Sequence, residues 1–323
     1  MRHTNTIAAR GRADGSFWPP SRPAGGVFLL AALLCVVTLP VNSQSVPSAR
    51  SSSIVPILYE VEFRGARAFL YGSMHLADEY AIPPPRPVRE AFSASDVLVT
   101  EVPIGDVPGG ELALQMATLA MRPLDRSLSD LLNEQERAIV SEWLEGFGLT
   151  IEIAEEMAPW GLRLLLTSMN TGGLSAENGL DLYFNEKAVA RGMDRDALET
   201  VEEQLACFQG APLQDQAALL LYSIQEPDDG TAVEAIYDAW SAGDEDRMAR
   251  ILTEEYGHLP ALRGEYDRLF TQRNDRFAER ILTMMSTRTG STPFIVVGAG
   301  HLCGDDSVQD HLAELGATAR RLR

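Results

Sequence analysis

The order of hydrophobic and polar positions divides the chain into strand-rich ends and a long helical middle. Near the start, residues 58–63 alternate between apolar and polar side chains, and a short apolar run at residues 68–71 follows after an Arg-Gly turn. A further, mostly apolar run at residues 96–100 ends directly before Glu101. Alternating or short apolar runs that are bounded by turn residues are typical of β-strands.

The middle of the chain, from about residue 110 to residue 288, has a different period. Its apolar positions recur three and four residues apart, which predicts amphipathic helices. Residues 293–297 are again apolar, residues 307–315 indicate a helix, and residues 318–322 indicate a last strand. We therefore predict an α/β (α+β) fold, with a central mixed sheet built from N- and C-terminal segments and a large helical insertion.

The N-terminal segment has the layout of an export signal. Residues 1–26 contain four arginines and one aspartate, and residues 27–39 form an apolar run that is too short for a comfortable membrane span. We predict a signal peptide over residues 1–43, then a Ser-rich linker at residues 44–54 and one folded domain at residues 55–323. The alternative is an uncleaved anchor, so the protein is expected to be periplasmic or secreted, or to associate with the membrane through this segment.

Charge and cysteine content narrow the expected partners. The chain has 27 basic and 46 acidic residues, a net charge of −19, and no basic stripe. A nucleic-acid partner is therefore not expected, because phosphate backbones reward clusters of Lys and Arg. Cys207 and Cys303 would remain after export, and the sequence leaves open whether they form a disulfide.

One motif occurs twice, once near each end of the chain. Residues 68–76 and residues 293–302 each contain an apolar run, then Gly-x-x-His, then Leu. We expect the glycine to allow a sharp turn and the histidine, His75 or His301, to lie at the carboxyl edge of the sheet. Glu101 also follows an apolar strand, so we expect its side chain at the same edge.

Two histidines and one carboxylate in one place are a suitable ligand set for a divalent metal. Such a set leaves positions open for water and substrate, and the bound ion acidifies the water and polarises a carbonyl group. Glu101 is a candidate metal ligand and a candidate general base, and the sequence does not choose between them. The structural alternative is that His75 and His301 only cap loops through hydrogen bonds.

These motifs resemble the TraB/GumN family, which also includes the pheromone-shutdown protein PrgY and the TIKI proteases. Besides the two Gly-x-x-His motifs and Glu101, residues 179–188 and 198–204 match the helical signature of that family. Residues 273–274, followed by residues 276–281, resemble its Arg-Asn helix.

The resemblance covers about residues 55–323 and implies a fold like that of the TIKI, ChaN and erythromycin-esterase proteins. It implies a divalent metal, Mn²⁺ or Co²⁺ with Zn²⁺ as an alternative, held by His75, Glu101 and His301. It also implies that Glu101 and Arg273 act in catalysis, with Arg273 stabilising an oxyanion. The alternative for Arg273 is a surface salt bridge on its helix. Four further residues either support the site or hold helices together: Asp181, Lys187, Glu199 and Glu202.

The expected function is an exported metal-dependent hydrolase, of peptidase type, that acts on a peptide or protein. The alternative is a non-catalytic envelope protein that binds a peptide or haem in the same cleft, since two histidines are able to ligate haem iron. A third interpretation is an envelope scaffold with a vestigial site.

Overall fold

The computed structural model describes residues 54–104, 118–121, 125–168, 171–226, 230–254 and 259–322. The predicted signal peptide or anchor, almost the whole linker and the start of the insertion near residue 110 lie outside these ranges. Within them, no helix is both long and apolar enough to cross a membrane.

A mixed six-stranded sheet forms the centre of the structure. Its strands are β1 (Leu58–Phe63), β2 (Ala66–Ser73), β3 (Val97–Thr100), β4 (Asp194–Ala197), β5 (Pro293–Gly298) and β6 (Thr318–Leu322). They lie in the order β4-β3-β5-β2-β1-β6. Strands β2 to β5 are mutually parallel, and β1 runs antiparallel to both of its neighbours. The prediction of one mixed sheet shared by both ends of the chain is confirmed.

Helices occupy most of the remaining described chain. In chain order they are α1 (Arg86–Ser93), α2 (Leu128–Leu131), α3 (Glu134–Glu145), α4 (Ile151–Ala154), α5 (Pro159–Ser168), α6 (Leu180–Arg191), α7 (Val201–Gln209), α8 (Leu213–Gln225), α9 (Thr231–Ser241), α10 (Glu245–Thr253), α11 (Pro260–Tyr266), α12 (Gln272–Thr287) and α13 (Val308–Glu314). A π-helical turn, Asp267–Thr271, joins α11 to α12. Short 3₁₀ helices are Glu79–Ala81, Ala176–Asn178 and Ala299–Leu302.

The central strands are buried along nearly their whole length, as expected for parallel strands covered by helices. Aromatic side chains join the sheet to α6, with the ring of Phe184 4.9 Å from that of Phe294 and 5.7 Å from that of Tyr71. Helix α9 is fixed to β2 by the indole of Trp240, which donates a 2.9 Å hydrogen bond to the Gly72 carbonyl. These contacts fix α6 against the central strands and α9 against the carboxyl end of β2.

Strand β4 was not predicted, because its sequence Asp-Arg-Asp-Ala has neither the apolar alternation nor the β-branched residues of a typical strand. Backbone pairing with β3 forms it instead, in parallel register from Val97 opposite Asp194 to Thr100 opposite Ala197. The pairing continues beyond the strand, since the Glu199 amide donates to the Glu101 carbonyl at 2.8 Å. The insertion predicted as helical therefore contributes one strand to the sheet.

Candidate functional site

Four parallel strands end at one edge of the sheet, and each is followed by a polar residue that is almost fully buried. His75 follows β2, Glu101 follows β3, Glu199 follows β4, and His301 lies in the 3₁₀ helix after β5. Their exposed fractions range only from 2% to 8%. The structure thus brings the three predicted metal ligands together and adds a fourth residue, Glu199, for which the sequence left a structural role open.

The His75 ring is oriented by a carboxylate beneath it. Its Nδ1 atom lies 2.8 Å from Oδ2 of Asp181, in the first turn of α6. The other carboxylate oxygen of Asp181 accepts a 3.1 Å hydrogen bond from the hydroxyl of Ser73, the last residue of β2. Because Asp181 is buried and held in this way, it fixes which nitrogen of His75 faces away from it.

The His301 ring is held through both of its nitrogens. Nδ1 lies 2.6 Å from the side-chain oxygen of Asn274, whose amide nitrogen in turn donates to the carbonyl of Asp306. Nε2 lies 3.0 Å from Nη1 of Arg273. Burial, together with the positive charge of Arg273, lowers the pKa of His301 to about 3. The ring is therefore neutral near pH 7, with its proton on Nδ1 and its lone pair on Nε2.

Arg273 links the carboxylates of the site and is itself completely buried. Its Nη2 lies 2.5 Å from Oε2 of Glu101, and its Nε and Nη2 both donate to Glu199. Burial opposes the charge of Arg273, but the two carboxylates outweigh it and raise the pKa of the guanidinium. Nη1 also donates to the Leu269 carbonyl at 3.0 Å, so all three guanidinium nitrogens of Arg273 have a hydrogen-bond partner.

The two carboxylates that share Arg273 differ in their protonation tendency. Burial alone would raise the pKa of Glu101, but Arg273 and the 2.6 Å hydrogen bond from the Gly298 amide outweigh it and lower that pKa to about 2. For Glu199, burial outweighs Arg273 and the pKa is raised. Glu101 is therefore the fixed negative charge at the edge of the sheet.

A π-helical turn precedes Arg273 and Asn274, which lie in the first turn of α12. Such turns interrupt the regular α-helical register and occur frequently at functional sites. Here the turn brings Phe270 against the His301 ring, at 5.0 Å between ring centres, while α12 supplies the two hydrogen-bond partners of that ring.

The two motif glycines serve a purpose other than the predicted sharp turn. Neither Gly72 nor Gly298 has a positive φ, and both belong to strands. A Cβ atom at Gly72 would lie 3.2 Å from the Cα of Ala299, and one at Gly298 would lie 3.2 Å from Oε1 of Glu101. The glycines therefore allow close approach, and the prediction that they are needed for a sharp turn is wrong.

The site opens into a cavity of about 40 Å³. One side of it is polar, with His75, Glu101 and His301 around Gly298. A hypothetical Cβ at Gly298 would lie 3.6 Å from Nε2 of His75 and 3.8 Å from Cδ2 of His301. The other side is apolar and is formed by Met74, Leu76, Val233, Ile236, Met248, Leu252 and Phe270.

The donor types around this point fit a divalent metal, since two imidazoles with oriented Nδ1 atoms and one carboxylate form a familiar ligand set. The distances between these side chains, however, are not those of a metal centre. Nε2 of His301 lies 3.7 Å from Oε1 of Glu101 and already accepts from Arg273. Across the described ranges, no three His, Cys, Asp or Glu side chains are arranged to hold an ion. The metal ligands thus stay a prediction.

The other candidate residues divide into two groups. Asp181 and Glu199 directly contact site residues, whereas Lys187 and Glu202 are exposed, and Lys187 lies over the Tyr183 ring. The sequence analysis did not predict that Asn274 orients His301. Its position next to Arg273 was the signal from which this could have been predicted.

The two cysteines are both free and buried in the structure. The thiol of Cys303 donates to the carbonyl of Ala299 at 3.0 Å.

Fold and site together define an α/β protein with a buried histidine, carboxylate and arginine cluster at the carboxyl edge of its sheet. A family model described as TraB/PrgY/gumN matches residues 57–321. The chain belongs to this family. Comparison with curated proteins and with solved structures gave no match.

Proposed function

We propose that this protein is an exported, metal-dependent hydrolase of peptidase type whose site is the cluster around Gly298. The observation that carries the proposal is that each of the two histidines has a side-chain oxygen next to its Nδ1 atom. Nδ1 of His75 faces the Asp181 carboxylate, and Nδ1 of His301 faces the Asn274 amide oxygen. Metal-binding histidines in proteins are usually oriented by such a partner on the second ring nitrogen.

The charge of the cluster supports a cation as the missing component. The cluster contains three buried carboxylates, those of Glu101, Asp181 and Glu199, and one buried guanidinium, that of Arg273; the raised pKa of Glu199 reduces the negative charge that this residue contributes. Unbalanced buried charge is unfavourable unless it is paired. A divalent cation between His75, Glu101 and His301 would balance the excess of carboxylates.

A metal ion in this place would polarise a carbonyl group and acidify a bound water. Binding it through His301 requires Arg273 Nη1 to release Nε2 of that ring, while the contacts of Arg273 with Glu199 can persist. Arg273 contacts Glu101 and His301 but does not itself line the cavity, so it would stabilise an oxyanion there through its positive charge and not through direct contact. Glu101 serves either as the third ligand or as a general base.

Peptides as substrates, and Mn²⁺ or Co²⁺ as the metal with Zn²⁺ as the alternative, rest on the resemblance to the peptidases of the family. Export rests on the signal-like segment at residues 1–43, with residues 27–39 as an alternative membrane anchor. The size of the cavity is an argument against the haem-binding alternative. At about 40 Å³ it is far smaller than the roughly 300 Å³ or more of typical cofactor pockets.

Elemental analysis of the purified protein tests the proposal. After incubation with Mn²⁺, Co²⁺ or Zn²⁺ and gel filtration, we expect close to one ion per chain, and loss of that ion in a His75→Ala, His301→Ala double variant. His311→Ala is the matched control, because His311 lies on α13, pairs with Asp306 and is not one of the predicted metal ligands. Absence of bound metal in the parent, or no peptide cleavage by the loaded protein, would overturn the proposal.

A further inference from the structure

We propose that the apolar side of the cavity is a specificity pocket for one small aliphatic side chain, which lies directly beside the bond to be cleaved. The inference rests on the proposed hydrolase function and narrows its substrate class. It predicts that peptides with a residue such as alanine or valine at that position are preferred over those with an aromatic residue.

The position of the apolar wall supports this assignment. Val233 and Ile236 come from α9, and Met248 and Leu252 come from α10, so two neighbouring helices of the insertion face the polar cluster. A carbonyl group held at the histidines would place the adjoining substrate atoms against this wall. Apolar side chains there favour an apolar substituent, because burying one removes it from water.

The size of the cavity limits that substituent. An engineered cavity of about 150 Å³ takes up benzene, whereas this one measures about 40 Å³. Few carbon atoms fit unless the wall moves. An aromatic side chain would therefore have to displace side chains of the wall such as Leu252, even though the wall itself is hydrophobic.

The floor of the pocket is closed by tight packing. A Cβ atom at Gly300 would lie 2.6 Å from Cε1 of Phe270 and 3.3 Å from Cδ1 of Leu252, so both side chains press against the backbone next to His301. Phe270 also contacts the His301 ring, at 5.0 Å between ring centres, so changing Phe270 would disturb that histidine. Leu252 is thus the better residue for enlarging the pocket without disturbing the histidine.

A ligand series tests the pocket without relying on turnover. The probes are the N-acetyl N-methylamides of glycine, alanine, valine and phenylalanine, with dissociation constants from ligand-observed NMR titration of the full-length protein. We expect the valine derivative to bind about tenfold more tightly than the glycine derivative and the phenylalanine derivative to bind no better than glycine. Leu252→Ala should improve binding of the phenylalanine derivative by about tenfold.

Leu144→Ala is the matched control, because Leu144 is equally apolar and buried but belongs to a separate core cluster of the insertion. It should leave the ligand preference unchanged. If thermal melting shows that Leu252→Ala is unfolded, Ile236→Ala opens the same wall from α9. Equal binding of all four probes, no binding of any, or the same change in the Leu144→Ala control would overturn the pocket assignment.

Cleavage of peptides that carry the same four residues separates this inference from the proposed function. If the probes bind with the predicted preference but no peptide is cleaved, the hydrolase proposal is wrong and the pocket assignment is retained. If peptides are cleaved without any preference for small aliphatic residues, the pocket assignment is wrong and the hydrolase proposal is retained.

Discussion

Gly298→Ala is the sharpest test of where the chemistry occurs. The substitution adds one methyl group at the point around which the candidate ligands converge, 3.2 Å from Oε1 of Glu101 and 3.6 Å from Nε2 of His75. The backbone there has φ −53° and ψ 134°, which any residue adopts without strain. The change therefore fills the site while leaving the local fold intact.

The expected effect follows from the space available. The cavity of about 40 Å³ is small, and a methyl group, which is close to a water molecule in size, takes up a substantial part of it. The methyl group thus displaces the water or ion that the cavity would hold. We expect a loss of roughly 10²-fold in hydrolysis rate, or ~2.7 kcal/mol, and a change in unfolding free energy within ~1 kcal/mol.

The assay compares initial rates, metal content and urea unfolding of the parent and the variant. Gly264→Ala is the control, since a Cβ there meets only the end of the Arg268 side chain at 3.4 Å and the residue lies within α11. It should stabilise the protein by up to ~1 kcal/mol and leave the rate unchanged. A folded Gly298→Ala protein with parental rate and metal content would refute the placement of the reaction at this glycine.

Three further experiments examine the groups around the cavity. Glu199→Gln leaves a buried guanidinium with one carboxylate fewer, so urea unfolding should show a loss of ~3–5 kcal/mol. Glu203→Gln, which breaks a half-exposed ion pair, should cost less than ~1 kcal/mol, and equal losses would contradict the reasoning. Asp181→Asn removes the carboxylate that orients His75, so metal affinity by calorimetry should fall about 10–100-fold, and an unchanged affinity would argue against a supporting role. In metal-free protein, the pKa of His301 is about 3 in the folded state and 6.5 in the unfolded state. Between about pH 3 and pH 6.5 the unfolded state therefore binds more protons than the folded state. Stability should therefore be fully present above about pH 6.5 and fall towards pH 3, by at most ~1.4 kcal/mol per pH unit from this residue. Urea unfolding across that range should show a shallower slope for His301→Gln, and identical slopes would contradict the assignment.

The strands that reach the site were predictable because their sequences carry strong local signals. Short apolar runs at residues 96–100 and 293–297, each bounded by turn residues, became β3 and β5. The repeated Gly-x-x-His motif then pointed to one edge of the sheet, since parallel strands present their carboxyl ends on the same side. The common edge was therefore predictable without knowing which strands are neighbours in the sheet.

Features that depend on distant contacts were not predictable in the same way. Strand β4 is polar and exists through its pairing with β3, so its own four residues give no strand signal. Asp181 and Asn274 occupy helical positions that look like ordinary polar residues, and only the tertiary structure places them on the histidine rings. The motif glycines were correctly singled out, but their steric role depends on side chains more than a hundred residues away.

Stability alone does not explain the buried Arg273 cluster. Taking charged groups out of water costs several kcal/mol per ion, and replacing a whole buried ion cluster with apolar residues of similar volume is often neutral or stabilising. Losing one partner is harmful only because it leaves another charge uncompensated. The fold itself therefore has no need of Glu101, Glu199 and Arg273 at the edge of its sheet. Since Glu101 lines the cavity and Arg273 contacts one of the two candidate metal-binding rings, the proposed hydrolase function gives the buried cluster a purpose that stability alone does not.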